Sequence, residues 1–511
     1  MASRLLWLLL ILPSTLARQD VFNFVLDAPE HPPAGQQVVD ANYQSYSIEF
    51  SYMQDYAGNN TNPNKFSAQL LQNLQDISGA YPMIRAGGST QNRAVFVPNQ
   101  TEAVILRFSH PTDDQPAGLT IGPAWMQVFQ QFPEGTRYIY GLTFYDFNDT
   151  LIGGRNGIDE TVAEAELAYG AIKDDLFAFE IGNEVDGWTC TSRRPCNWTV
   201  ETYVAQWQEY AAAIQEHINT SAPLIQGCAF EAPSHIGFNA TPFWNVENAV
   251  RFGMNASVAK TLADHDYMGS ICEGAQPPSL QASLLNHTHT SAKLYNHAYL
   301  GNATAGTNMA YVLGETNSIS CQGAAGVSDV FAAALWGVDY VLYTATLKVA
   351  RLYYHMGTPY RYSAWQPINW PNTNTTRGVK PLYYGNLFTA RVLSGGGKQV
   401  NVLVNETTTA AYGVYNARSS SLEAVVVVNL EGWNSTQPAA ERPYISVRVP
   451  EGLAHGEVRR LTAPGVEIAE GITFMGQYVD DEGIIRGDEV VETVADGVVQ
   501  VGAGEAVLVS L

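Results

Sequence analysis

The stretch FAFEIGNEVDGW, Phe177 to Trp188, decides the reading of the chain. Phe177 to Glu180 leads into Ile181-Gly182, and the chain then offers Asn183, Glu184, Val185 and Asp186 side by side. An apolar, aromatic-rich run that stops at a Gly and is followed at once by polar groups reads as a buried strand ending at a functional rim. A second stretch has the same form: Tyr311-Val312-Leu313-Gly314-Glu315-Thr316-Asn317. Each delivers a Glu from the end of a short buried strand.

Working outward, strand-like runs begin near residues 45, 82, 137, 177, 224, 263, 311 and 350. Helical patterns lie between most of them. Phe66, Leu70, Leu71 and Leu74 share one face, and Val200, Val204, Trp207, Ala211, Ile214 and Ile218 form a longer stripe. Trp125 to Phe132, Glu160 to Gly170, Val246 to Phe252 and Val330 to Leu342 are the other expected helices. Eight strands alternating with helices predict an α/β fold, a (β/α)8 TIM barrel, over residues 41–394. In such a barrel the strand ends carry the chemistry, so Glu184 follows strand four and Glu315 follows strand seven. The Gly-rich segment Ala86-Gly87-Gly88-Ser89 lacks the spacing of a phosphate loop.

From about residue 395 the helical period fades into short Val-rich runs separated by Gly, Pro and Asn, including Ala424 to Val428, Tyr444 to Val449 and Ala506 to Leu511. Residues 395–511 are expected to form an antiparallel β-sandwich, joined by an N-terminal strand segment within residues 18–40. Before that segment, Arg4, the apolar run Leu5 to Leu12 and the small-x-small Thr15-Leu16-Ala17 read as a signal peptide, residues 1–17. That run is too short to span a bilayer. A secreted, extracellular protein is expected.

The formal charge of −22 makes nucleic acid, an anionic membrane or a long polyanion poor partners. A secretory route gives meaning to the N-x-Ser/Thr sequons at Asn59, Asn99, Asn148, Asn197, Asn219, Asn239, Asn255, Asn286, Asn302, Asn374, Asn405 and Asn434. It also favours a disulfide between Cys190 and Cys196, which close the short loop CTSRRPC. The count of five cysteines leaves at least one thiol free, and Cys228, after an apolar run, reads as a core residue. No C-x-x-C pair or His-rich cluster suggests a metal, and no cofactor is implied.

Two carboxyl groups of different protonation are what glycosidic bond cleavage needs: one donates a proton to the leaving oxygen and the other meets the sugar cation. Glu184 and Glu315 are the candidates. Asn183 can bond a sugar hydroxyl, and Tyr267 can orient the Glu315 carboxylate. Asp186, Asp264, Asp266 and Glu273 read as solvated loop groups or helix caps, and Glu180 as half of an ion pair with Arg85 or Arg351. His265 and His355 each end an apolar strand, where a satisfied core histidine is the commoner role. His355 gains weight from the aromatic loop Met356 to Tyr362 that follows it. Gln322-Gly323 can supply donors to an anionic group.

The wording FEIGNEVD and LGETNS, with a signal peptide ahead and a sandwich behind, resembles glycoside hydrolase family 79 over essentially the whole mature chain. The resemblance implies a retaining exo-β-glucuronidase acting on terminal glucuronic acid, and on its 4-O-methyl ether in some members. Glu184 would be the acid/base and Glu315 the nucleophile. Glu49 and Asn183 would bind hydroxyls, Tyr267 would support Glu315, and His355 and Tyr362 would line the sugar pocket. Bacterial members carry a Tyr in the loop after the nucleophile, whereas residues 317–323 here read NSISCQG. The alternatives are a β-xylosidase or β-glucosidase on the same scaffold, or a non-catalytic carbohydrate-binding protein. A monomer is expected.

Overall fold

The computed structural model describes residues 23–145, 155–231, 243–370 and 374–511. The expected signal peptide, residues 1–17, and the sequons at Asn148 and Asn239 lie outside the described residues. Eight parallel strands close a barrel in sequence order: β1 Gln44–Glu49, β2 Ile84–Gly87, β3 Tyr138–Leu142, β4 Leu176–Ile181, β5 Ile225–Phe230, β6 Ala259–Ser270, β7 Ala310–Ser320 and β8 Leu352–Met356. β8 pairs with β1, and Leu352 lies opposite Gln44. The barrel is therefore the expected one.

Strand alternation sorts the barrel interior into layers. Met83, Ile139, Ala178, Ala263, Val312 and Tyr353 pack together as one apolar layer. Two residues further along four of these strands the inward positions are polar, Arg85, Glu180, His265 and His355, all buried, and on β3 and β7 they are Gly141 and Gly314. The apolar floor excludes water beneath a charged rim, which strengthens every interaction above it.

The helices cover the outside. Val200–Ile218 starts on Thr199, whose hydroxyl accepts from the Thr202 N–H, and it buries Val204, Trp207, Ala211 and Ile214. The expected helix at Trp125 to Phe132 is instead 3₁₀ turns over Pro123–Gln130, entered by a Pro. Phe331–Ala345 is buried nearly all round, because it lies between the barrel and the second domain.

In that domain a large antiparallel sheet runs in the order Lys398–Glu406, Thr409–Asn416, Leu422–Asn429, Glu505–Ser510, Glu457–Thr462. A smaller sheet holds Phe24–Val25, Tyr444–Arg448 and Val498–Gly502. Val425, Val427, Val507 and Val509 face the smaller sheet, while Val426, Val428 and Leu508 face the barrel side. Both faces are buried, so these strands read as unbroken Val runs instead of alternating ones.

The structure corrects the solvated reading of Asp264 and Asp266. β6 continues to Ser270, so both point outward beneath the helix layer and are buried. Asp264 accepts from Tyr311 Oη at 3.0 Å, and Asp266 pairs with Lys293 at 3.4 Å. Among the described residues no helix is long and apolar enough to cross a membrane. Eight of the described sequon asparagines are exposed, and Asn59 and Asn286 are half-buried.

Candidate active site

β4 stops because Gly182 turns with φ +79, where an added Cβ would meet Val185 and Phe144 at under 3.0 Å. Glu184 follows in the left-handed region at φ 50, which lifts its carboxyl over the barrel mouth. β7 delivers Glu315 by another device. Its pairing slips by one residue against both neighbours: Asp264 faces Leu313 while His265 faces Glu315, and Leu313 and Thr316 face Leu352 and Tyr354. This bulge keeps Gly314 and Glu315 both inward. Thr316 then points out to Tyr340 Oη at 2.8 Å. Gly314 permits the slip, since a Cβ there would sit 2.9 Å from that of Ala263.

The result is a convergence. A carboxyl oxygen of Glu184, one of Glu315 and a ring nitrogen of His265 lie within 4.8 Å of one another. Tyr267 Oη donates to Glu315 Oε1 at 2.7 Å, and Arg85 Nη1 donates to Oε2 at 2.6 Å. Arg85 also bonds Ser47 and the Asn183 carboxamide oxygen, and forms a buried ion pair with Glu180. Of the two partners expected for Glu180, Arg351 goes elsewhere, to Asn42. His265 Nδ1 meets Glu184 Oε1 at 2.9 Å. It is therefore part of the site and not a core histidine. His355 Nδ1 lies 2.9 Å from Ser47 Oγ and 3.4 Å from Glu315 Oε2. Its Nε2 is 3.3 Å from Glu49 Oε2.

These contacts drive the two carboxyls apart. Burial pushes Glu184 well above the usual carboxylate range, and the negative charges of Glu315 and Glu231 push the same way. Burial also acts on Glu315, but it is outweighed by the charges of His355 and Arg85 and by the Tyr267 hydrogen bond, so Glu315 is held well below that range. Burial brings His265 down to about 4, so above that pH it is neutral and the charge restraining Glu315 comes from Arg85 and His355. His355 is raised, since Glu315 and Glu49 together outweigh its burial. Glu49 is lowered against its burial by His355 and Thr90. At mildly acidic pH the site thus holds one protonated and one ionised carboxyl.

The Glu184–His265–Glu315 cluster has ligand types suited to a cation. Both Glu315 oxygens are already engaged, and Arg85 and charged His355 stand beside it, so it fits a proton-transfer pair better than a metal centre.

A cavity of about 490 Å³ opens over this pair. Glu49, Glu184, Tyr267, Glu315, Gln322, His355 and Tyr362 line it, together with Gln115, Glu231 and Tyr360. Gly323 stands behind the wall, and Asn183 is buried beside Glu184. Asn183 gives its carboxamide oxygen to Arg85, and its backbone exchanges hydrogen bonds with Asn92. A Cβ on Gly323 would meet Tyr362 N at 2.7 Å, so this glycine lets two site loops touch. Gln115 and Tyr360 hydrogen-bond Glu49 at 2.9 and 3.2 Å. Gln115 arrives on an excursion between β2 and β3 that carries its own small sheet, Ala94–Phe96, Val104–Arg107 and Gly118–Ile121.

Cysteine pairing is now defined. Cys190–Cys196 is a disulfide, Cys272–Cys321 is a second one beside the cavity, and Cys228 is the buried free thiol. Neither Arg85 as a ligand of Glu315 nor the second disulfide has a local sequence signal.

Comparison with known proteins places this geometry in context. Residues 411–508 match the family profile described as the glycosyl hydrolase family 79 C-terminal beta domain. A protein of Aspergillus niger named beta-glucuronidase is 34% identical over 464 residues, covering 85% of this chain and 82% of its own. One of Neurospora crassa with the same name is 35% identical over 513 residues, covering 89% and 87%. Among solved structures, a 4-O-alpha-L-rhamnosyl-beta-D-glucuronidase from Fusarium oxysporum 12S superposes with a TM-score of 0.79 at 24% identity, covering 96% of this chain and all of that one. An arabinofuranosidase from Thermotoga maritima shares the fold at a TM-score of 0.58 and 11% identity, covering 96% of this chain and all of its own.

Proposed function

The chain belongs to glycoside hydrolase family 79, and we propose that it removes β-linked glucuronic acid from the non-reducing ends of glycans or glycosides, as a secreted, retaining exo-glycosidase. The observation that carries this reading is the pair Glu184 and Glu315: oxygens within 4.8 Å, Glu184 just past the end of β4 and Glu315 at the bulge within β7, with acidities displaced in opposite directions. Retaining enzymes hold their carboxyls about 5–5.5 Å apart, and inverting ones about 6.5–9.5 Å, because a water must fit between.

In the resting site Glu184 carries a proton and Glu315 a charge. Glu184 gives its proton to the glycosidic oxygen as Glu315 attacks the anomeric carbon. The C–O bond to the aglycone breaks, and a glycosyl ester forms on Glu315. That ester is neutral, so the charge that had raised Glu184 is gone and the ionised Glu184 becomes the favoured form. It then takes a proton from water, the oxygen attacks the same carbon, and Glu315 leaves as a carboxylate. One water is consumed, and two inversions return the β-anomer.

The other residues set geometry. Arg85 and Tyr267 fix the two Glu315 oxygens so that attack needs little reorganisation. Glu49, held by Thr90, Gln115, Tyr360 and His355, is a rigid acceptor for sugar hydroxyls. The Asn183 amide nitrogen is left for the hydroxyl beside the anomeric carbon. Tyr362 and Gln322 stand where the sugar carboxylate would lie. The raised Glu184 keeps its proton in the mildly acidic medium that suits a chain of this charge.

Side-by-side hydrolysis of p-nitrophenyl β-glucuronide, β-glucoside and β-xyloside at mildly acidic pH tests the assignment, with a 4-O-methylglucuronide measuring tolerance at that position. Turnover confined to the glucuronides is expected. Preference for the glucoside or xyloside would overturn the substrate, and no turnover of any would overturn the catalytic reading.

A further inference from the structure

We propose that Glu231 selects the aglycone: its carboxylate forms the leaving-group side of the cavity, accepts hydrogen bonds from the hydroxyls of a neutral sugar, and turns away an aglycone that carries an acid group of its own. The inference rests on the glucuronidase reading above and extends it from the sugar that is released to the group it is released from.

Barrel closure fixes where the aglycone lies. The strands close in sequence order, so β1 and β5 stand opposite each other across the mouth. Glu49 ends β1, and Glu231 follows β5 directly. Both line the cavity that holds Glu184 and Glu315. The released sugar sits on the β1 and β8 side, against Glu49 and His355, with its anomeric carbon at Glu315. Its glycosidic oxygen faces Glu184, after β4. The group bonded to that oxygen continues toward the next strand exit, that of β5, and the side chain there is Glu231.

The loop that carries the acid also sets the position of Glu231. The Glu231 N–H donates to both oxygens of Asp186, at 3.0 and 3.2 Å. The Glu184 N–H donates to the Ala229 carbonyl at 2.8 Å. The exits of β4 and β5 are thereby tied through main-chain donors. A Cβ on Gly187 would meet Glu231 Oε2 at 3.2 Å, so the carboxyl lies close over the backbone of the acid's own loop. Glu231 is nonetheless exposed, at the wall of the cavity.

The charge on this side has one sign. Glu184 holds its proton in the resting site, and burial pushes Asp186 up to about 8, so at mildly acidic pH neither is an anion. Of these three carboxyl groups the charge is carried by Glu231. The cations of the lining are engaged elsewhere: Lys293 pairs with Asp266 at 3.4 Å, and His355 faces Glu49 and Glu315. Arg193, in the loop after Glu184, stacks on Trp188 and stands outside the lining. An acid group on the aglycone would therefore meet Glu231 with no cation between them. Sugar hydroxyls would instead gain charge-assisted hydrogen bonds. Specificity of this kind joins an attractive contact to a repulsive one, and it favours glucuronic acid capping a neutral glycan over glucuronic acid linked to another uronic acid.

The test uses two p-nitrophenyl β-glucuronides that carry, at the same ring position, a carboxylate or a carboxamide. Their kcat/KM values are compared at mildly acidic pH and low salt. Wild-type enzyme should prefer the amide, and Glu231→Gln should narrow that preference by about three- to tenfold, the scale of two like charges at the edge of a cavity. Glu231→Lys should favour the acid. Added salt should narrow the wild-type ratio more than the Glu231→Gln ratio. Any change in the acidity of Glu184 acts on both substrates and cancels in the ratio. The side chain is exposed and its backbone bond to Asp186 survives substitution, so the variants should fold, and the salt response of the wild type is a reading that needs no variant. A ratio that is the same in wild type, Glu231→Gln and Glu231→Lys, or a wild-type ratio indifferent to salt, would overturn the proposal. Wild-type enzyme that prefers p-nitrophenyl β-glucoside to the glucuronide would instead bring down the glucuronidase reading itself.

Discussion

Replacing Arg85 should move the acid limb of the pH–rate profile upward. Its guanidinium is fully buried and serves Glu315, Glu180, Ser47 and Asn183 at once. The contact to Glu315 Oε2 is 2.6 Å. With charge centres about 4 Å apart and an effective dielectric of about 20, that attraction is worth about 4 kcal/mol, an upper bound of about three units of acidity. His355 and Tyr267 remain in the variant, so a rise of about one to two units is the better figure. The sign follows from the roles. Glu315 acts when ionised, so raising its pKa removes active enzyme from the acidic side. Arg85→Gln should therefore lose kcat/KM progressively at low pH, by about tenfold per pH unit below the new limb, while the alkaline limb set by Glu184 also moves upward, because the Arg85 charge lowers Glu184 as well. Arg85→Lys keeps the charge without the fork and should fall between the two. The substitution also strands two buried carboxylates, which predicts a stability loss of about 3–5 kcal/mol. The assay is therefore kcat/KM against pH at a temperature where near-ultraviolet circular dichroism shows the variant folded. A folded Arg85→Gln enzyme with an unmoved acid limb would refute the electrostatic account of Glu315.

Glu184→Gln should cut kcat by about 10²–10⁴ on alkyl glucuronides and much less in the first half-reaction of substrates with good leaving groups, as burst kinetics with a dinitrophenyl glucuronide would reveal. Gly314→Ala should drive a Cβ to within 2.9 Å of Ala263 and disturb the bulge that turns Glu315 inward. A stability loss of about 1–3 kcal/mol with a disproportionate loss of kcat is expected, from paired thermal and kinetic measurements. Burial raises Glu184, Asp186 to about 8, and Asp55 and Glu164 to about 7. Groups raised in the folded state stabilise it fully below their unfolded pKa of about 4, and that stabilisation is lost as pH rises through the folded values. The Tm should fall from pH 5 to pH 8; a Tm that is flat or rising over that range would contradict the burial of these carboxyls.

The barrel was legible because its signals are local. Most strands show a short apolar run, and Gly182 marks where Glu184 leaves β4; Gly314, read as the stop of β7, is instead the bulge within a strand that runs on to Ser320. Val200–Ile218 shows its stripe within its own residues. The paired Glu residues could be chosen because strand order alone places positions four and seven on one rim. The outward fate of Asp264 and Asp266 was not legible, since it depends on β6 continuing three residues past Tyr267 and on helices far away in sequence. The same holds for His265, whose neighbour Glu184 stands 81 positions away, and for Arg85, which reaches Glu315 across 230.

Sequence by itself thus determined which residue types stand at which rim positions, because hydrophobic period and chain breakers act over a few residues. Only the tertiary structure decided how those residues are charged. That follows from burial, from the cation each carboxyl meets and from the slip in β7 that turns Glu315 inward, and all three come from strands brought together by closure of the barrel. Coulomb energy depends on distance in space and on the local dielectric, and neither is a property of separation along the chain.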